Sequence, residues 1–121
     1  MTESKQQARV FIPQHPTTFN RETGANEKVG DLSPVMAYGH PIFMLPPGRL
    51  KAKWLDKHIR ILQRAMFDYA STDYLLMTGD LSVQAAAIII AARQCGGPIN
   101  IIRWSRATNE FNVFPLDTGA R

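Results

Sequence analysis

The sequence predicts one α/β domain: a small Rossmann-like sheet in the order β-β-α-β-α-β-β, mostly parallel, with an antiparallel C-terminal hairpin and an extended N-terminal arm. Three observations carry this expectation. Short apolar runs of strand length alternate with segments of helical period between Ile42 and Trp104. The connections between them are short, which favours parallel strands joined by right-handed crossovers. Six of the eight prolines (Pro13, Pro16, Pro34, Pro41, Pro46 and Pro47) crowd into the first 48 positions, so the remainder reads as regular structure. A chain of 121 residues is bounded to a single domain. Within it, residues 1–8 read as a frayed terminus, 9–48 as the Pro-rich arm and first strands, and 49–117 as the compact core.

Each element has its own local reason. Arg9 to Ile12 is a short strand stopped by Pro13. Residues 13–34, rich in Pro, Thr, Asn, Gly and Glu, read as a long loop or arm, which either wraps the fold or orders on a partner. Ile42 to Leu45 is an apolar strand between two prolines, and Pro46-Pro47-Gly48 breaks the chain after it. A first long helix spans about Leu50 to Ala70, with a wide apolar arc, and Ser71-Thr72-Asp73 ends it. Tyr74 to Thr78 is a continuous apolar strand and so expects cover on both faces. Asp80 or Ser82 caps a second helix, Ser82 to Gln94, stopped by Gly96-Gly97-Pro98. Ile99 to Trp104 and Phe111 to Phe114 form the final hairpin around a loop at 105–110.

Composition excludes several classes of function. No apolar run approaches the roughly 18 residues of a membrane span, and the N-terminus has no signal-peptide core. A cytoplasmic location is the default expectation. The single Cys95 makes neither an internal disulfide nor a usual zinc site, and it reads as a structural thiol at the end of an apolar helix. His15, His40 and His58 are scattered, and His58 falls in the apolar arc of the first helix, as a partly buried core histidine does. No Ser/His/Asp or Cys/His pair and no paired carboxylates emerge. No cofactor, metal or catalytic residue is expected, and the chain reads as a non-enzyme.

Charge is the strongest functional signal. Arg49, Lys51, Lys53, Lys57, Arg60 and Arg64 face one acid, Asp56, a net of +5 for the segment, while the rest of the chain carries −1 of the overall +4. Lys53, Lys57, Arg60 and Arg64, spaced by 4, 3 and 4, share one narrow helix face opposite the apolar arc. Trp54 and Phe67 flank them. Cations with exposed aromatics suit phosphate backbones or acidic protein surfaces, although a charged face opposite a core is also what any solvated helix presents.

A second candidate lies at the carboxyl edge of the parallel strands, where open α/β sheets bind ligands. Arg49, Thr78, Gly79, Ser82, Arg106 and the N-terminus of the second helix meet there and offer anion-binding groups. The competing structural role is a turn at Gly79 and a cap at Asp80, whose charge opposes a bound phosphate. Neither GxGxxG nor GxxxxGK[ST] occurs. The second helix poses a packing problem as well. Only Gln84 and Arg93 are polar between Val83 and Arg93, so its outer side calls for a cover. The arm offers only Phe19 and Val29, which favours a homodimer sharing this helix or the adjacent sheet edge.

The stretch from Asp73 to Asp117 (DYLLMTGD, AAAIIIAAR, GGPINIIRWSRATNEFNVFPLD), with DLSP at 31–34 and LPPG at 45–48, resembles small proteins encoded by tailed bacteriophages. That resemblance implies an accessory protein in the host cytoplasm, acting in host takeover by occupying a host surface, and brings no site residues with it. The strand–Thr-Gly–helix unit is also similar in outline to CARF-type and other Rossmann-like nucleotide sensors. The Lys that usually follows their Gly-rich turn is absent here, which argues against nucleotide sensing. The functional expectation is a non-enzymatic interaction protein that binds an acidic macromolecule, nucleic acid or acidic host protein, through the basic helix. The alternative is a small-ligand or nucleotide-binding module using the strand edge.

Overall fold

The computed structural model describes residues 8–15, 17–20, 22, 25–28, 32–46 and 51–117, with the strands at 17–20 and 25–28 as backbone alone. In chain order these give β1 (Arg9–Gln14), β2 (Thr17–Asn20), β3 (Ala25–Lys28), α1 (Ser33–Met36), β4 (His40–Leu45), a 3₁₀ turn (Ala52–Trp54), α2 (Leu55–Ala65), β5 (Tyr74–Leu76), α3 (Leu81–Cys95), β6 (Pro98–Ser105) and β7 (Glu110–Asp117). The main sheet has the order β4-β1-β5-β6-β7. Its first four strands are parallel and β7 is antiparallel to β6, so the α/β class and the C-terminal hairpin are as expected.

The order reverses at β1. The chain steps outward from β1 to β4, then crosses back to β5 and on to β6. Right-handed crossovers in opposite directions put their helices on opposite faces. The packing agrees. Leu62, Met66 and Tyr69 from α2 and its following turn share one cluster with Val83, Ala87 and Ile90 of α3 and with Phe11, Leu75 and Ile99 of the sheet. Val35 of α1 sits instead with Val10, Ile12, Leu76 and Ile102 on the other face. Both edge strands carry a proline, Pro41 in β4 and Pro115 in β7, which blunts the ladder at each edge.

Several sequence-based boundaries move. β1 continues through Pro13 although it is an inner strand. The last β1–β5 pair is Phe11–Leu75, so the missing amide lies beyond that ladder, and pairing with β4 resumes at Gln14–Leu45. The segment expected to be a bare arm contains an antiparallel hairpin, Thr17 against Lys28 through Asn20 against Ala25, followed by α1 with Pro34 in its first turn. The first long helix is shorter than expected. It enters through the 3₁₀ turn and ends at Ala65, five residues before Ala70.

The reason for that early end is an interaction invisible to periodicity. Asp73 is buried and takes hydrogen bonds from the Arg9 amide (3.0 Å), Arg9 Nη2 (2.8 Å) and the Ala70 amide (2.9 Å). Arg9 also donates through Nη1 to Asp68 (3.0 Å) and through Nη2 to the Asp68 carbonyl (2.9 Å). Its guanidinium lies 4.9 Å from the Phe11 ring centre. These charge-assisted bonds draw residues 66–73 into a tight return onto β1 and compete with further helix. The same carboxylates hold the Arg9 guanidinium protonated, raising its pKa above the ordinary value against the opposing effect of burial.

α3 runs close to its expected span. Asp80 is its N-cap, accepting from the Ser82 amide at 2.8 Å, and Gly96 closes it at φ 80°. The cover its apolar surface requires comes largely from the fold. Val83, Ala87, Ile90, Ala91 and Ala92 are buried against the sheet and α2, leaving Leu81 and Ile89 as its exposed large apolar side chains. The packing argument for a homodimer sharing this helix therefore falls away.

Candidate functional site

Lys53, Lys57, Arg60 and Arg64 are all exposed, on the side of the 3₁₀ turn and α2 that points away from Leu62 and the core. Among the described residues none of the four pairs with a carboxylate. Asp56, the acid of this segment, is also exposed and lies in the first turn of α2, where a negative charge complements the helix dipole. At the start of the stripe Trp54 is 48% exposed. The Nζ atoms of Lys53 and Lys57 lie 5.4 and 5.8 Å from its ring centre. Those distances are within cation–π range and tie the two ammonium groups to one flat apolar surface. At the other end Phe67 is 70% exposed, in the turn past Ala65 rather than on the helix itself.

The strand-edge candidate is built differently. Gln14, at the carboxyl end of β1, is buried and spans the gap between two loops. Its Nε2 donates to the Pro46 carbonyl at 3.0 Å, and its Oε1 accepts from the Asp80 amide at 2.8 Å. The Thr78 hydroxyl donates to the Gln14 carbonyl. Gly79 has φ 95°, and a Cβ there would fall 2.5 Å from the Gln14 Cβ and 2.6 Å from its Oε1. The Gly79 carbonyl accepts from Gln84 Nε2 at 2.8 Å. The Ser82 amide, in the first turn of α3, donates to the Asp80 carboxylate. This is the crevice where the strand order reverses, the usual ligand position in open α/β sheets. Here the Gln14 side chain lies across it, and the Thr78 hydroxyl and the Ser82 amide, two of the groups expected to hold an anion, have internal partners.

Thr78, Gly79 and Ser82 thus share one structural knot with Gln14 and Asp80. Arg106 is exposed on the loop between β6 and β7 at the same end of the sheet. Arg49 lies outside the described residues. Gln14 was missed by sequence reasoning, and only its position as a polar residue ending an apolar strand hints at it.

Three further chemistry-bearing groups, Cys95, His58 and Tyr69, are half-buried or buried. Cys95 is half-buried, with Sγ donating to the Pro98 carbonyl at 2.8 Å. His58 is half-buried, and its Nδ1 is enclosed with no hydrogen-bond partner among the described residues. Tyr69 is buried against Phe11, ring centres 5.4 Å apart, and its hydroxyl donates to the Asp73 carbonyl. Burial pushes its pKa well up, with the charges at Cys95 and Asp73 adding to the effect. Among the described residues no group of three or more His, Cys, Asp or Glu is placed to hold a metal ion. No helix among them is long and apolar enough to cross a membrane.

Comparison with curated proteins and with solved structures gives no match. Over residues 8–118 the sequence matches the family described as Phage Pam3 gp32-like protein, and the chain belongs to that phage family.

Proposed function

We propose that this protein is a non-enzymatic phage accessory protein that binds an acidic macromolecule through the outward face of the 3₁₀ turn and α2. The observation that carries the reading is the stripe itself: four exposed cations without a carboxylate partner among the described residues, next to a half-exposed Trp54. An unpaired cationic face costs the fold little in water but gains from each phosphate or carboxylate it meets. Binding in the host cytoplasm, as part of host takeover, is consistent with the family. The sheet, read as Rossmann-like, would normally offer its strand-end crevice to a ligand, but the Gln14 knot leaves the small-ligand reading without a supporting observation.

The test is anisotropy of a labelled DNA duplex and of labelled polyglutamate, as salt is varied. Four neutralised phosphates predict a log–log salt slope of about −3.6, a loss of about 150-fold in affinity between 50 and 200 mM salt. The variant carrying Lys53→Glu, Lys57→Glu, Arg60→Glu and Arg64→Glu should fold normally and bind neither probe. Unchanged binding by the folded variant would reduce the stripe to a solvated surface.

A further inference from the structure

Phe67 and Trp54 are the two most exposed Phe, Tyr or Trp side chains among the described residues, and they stand at the two ends of the basic row. At the first end the Nζ atoms of Lys53 and Lys57 lie over the Trp54 ring. At the other end the helical ladder runs one residue past Ala65, since the Met66 amide donates to the Leu62 carbonyl at 2.9 Å. Leu62 and Met66, one turn apart, are both fully buried, so the inward face keeps its phase. Phe67, three residues after Arg64, therefore follows that arginine on the outward side. Between the rings the cations rise by about 4.5–6 Å per step, and the rings themselves stand about 20 Å apart along the helix. Asp56 lies beside the row, one turn before Arg60; four cations and this one acid leave the face at +3. The Asp68 carboxylate, next to Phe67 in the chain, is engaged by Arg9 at 3.0 Å.

We infer that this face binds single-stranded nucleic acid, with phosphates on Lys53, Lys57, Arg60 and Arg64 and a base stacked on each of Trp54 and Phe67. The assignment rests on the basic-face reading above and narrows its partner to one class. Spacing is the first reason. A single row of cations at this rise comes close to the separation of successive phosphates on one extended strand, whereas a duplex divides its phosphates between two strands. The rings are the second reason. In a duplex the bases are stacked on one another, and their faces are closed to an aromatic side chain. Each base of a single strand has a π-face to offer, and a cationic track with exposed rings is how such strands are held without regard to sequence. An acidic protein surface would engage the cations but brings no counterpart for a flat ring at each end. The footprint is about four nucleotides, one phosphate for each cation, at the low end of the range for such sites.

The test uses the intact protein and four labelled probes: a thymidine oligonucleotide, an abasic strand with the same number of phosphates, a duplex of the same length, and polyglutamate. At one salt concentration the thymidine strand should bind at least about tenfold more tightly than the abasic strand or the duplex. Trp54→Ala with Phe67→Ala, both at exposed positions, should bring the thymidine strand down to the affinity of the abasic strand and leave the abasic strand unchanged. Phe67→Ala alone, at the more exposed ring, should weaken the thymidine strand by at least about threefold. The comparison of thymidine and abasic strands needs no variant, so it decides the matter even if Trp54→Ala fails to fold. Equal binding of those two strands, tighter binding of the duplex, or wild-type binding by the folded ring variants would overturn the assignment. If the duplex or polyglutamate is then still bound, and the four-glutamate variant abolishes it, the basic-face reading survives without the single strand. If no probe binds, both fall.

Discussion

Removing the Gln14 side chain should cost the fold about 3 kcal/mol. The bonds to the Pro46 carbonyl and from the Asp80 amide are each worth about 1 kcal/mol net. Truncation to alanine also withdraws one buried methylene, about 0.8 kcal/mol, and leaves a small void. Pro46 is exposed and its carbonyl regains water, which keeps the total from rising further. For a domain of this length about 3 kcal/mol corresponds to a fall of about 12 °C in Tm. Gln14→Met keeps the volume and loses only the bonds, so it should cost about 2 kcal/mol. Urea denaturation followed by far-UV circular dichroism measures both. A loss below about 1 kcal/mol in both variants would refute the reasoning. The crevice would then not be held shut by this side chain, and the strand edge would return as a ligand site.

Gly79→Ala should be strongly destabilising in the wild type, because φ is positive and the new Cβ meets Gln14. In a Gln14→Gly background, which removes both the Cβ and the Oε1 that the new Cβ would meet, it should cost less, and a double-mutant cycle reads the coupling, which additivity would contradict. Asp73→Ala strands the partly buried Arg9 and should cost about 3 kcal/mol, whereas Asp68→Ala, at a carboxylate 42% exposed, should cost under about 1 kcal/mol by the same denaturation assay. Tyr69 has a folded pKa raised above its ordinary 10.0. Its contribution is therefore complete below about pH 10 and is lost as pH rises beyond that, because the unfolded chain then ionises first. In a variant with Tyr38 and Tyr74 replaced by Phe, phenolate absorbance should appear only together with unfolding, and its appearance in the folded state would show an accessible hydroxyl.

Much of this architecture was legible because it is local. The Asp80 cap, the Gly96 stop, the apolar β5 and the basic face of α2 each follow from a few adjacent residues and a helical or strand period. What escaped notice is non-local or polar. Gln14 meets partners 32 and 66 positions away, and Arg9 meets Asp73 across 64, so no spacing rule brings them together. The same contacts explain the overestimated helix: residues 66–70 have helical composition, but Asp68 and Asp73 tie them to β1. The β2–β3 hairpin was hidden because its strands, Thr17–Asn20 and Ala25–Lys28, are mostly polar and lack the alternation that marks a half-buried strand. The apparent need to cover α3 came from judging a helix by composition. Five of its residues are buried within the fold, and Leu81 and Ile89 are the large apolar side chains it leaves exposed.

The two candidate surfaces differ in what the rest of the molecule does with them. At the strand edge, side chains are spent on each other: glutamine on an amide and a carbonyl, aspartate on a helix N-terminus, threonine on a strand end. Such a knot fixes the connections of β1 and β5 but leaves little for a ligand to bind. On α2 the division runs the other way. Leu62 and Met66 are fully buried, and Arg9 anchors the turn that follows through Asp68 and Asp73. The helix is therefore held at its inner face and its end, while its cations are left with the solvent. A charged partner meeting that face need not order the backbone that carries it, so more of the interaction energy remains for affinity. Rigid seating and unspent charge coincide on α2, which makes it the stronger candidate for the surface through which this phage protein acts.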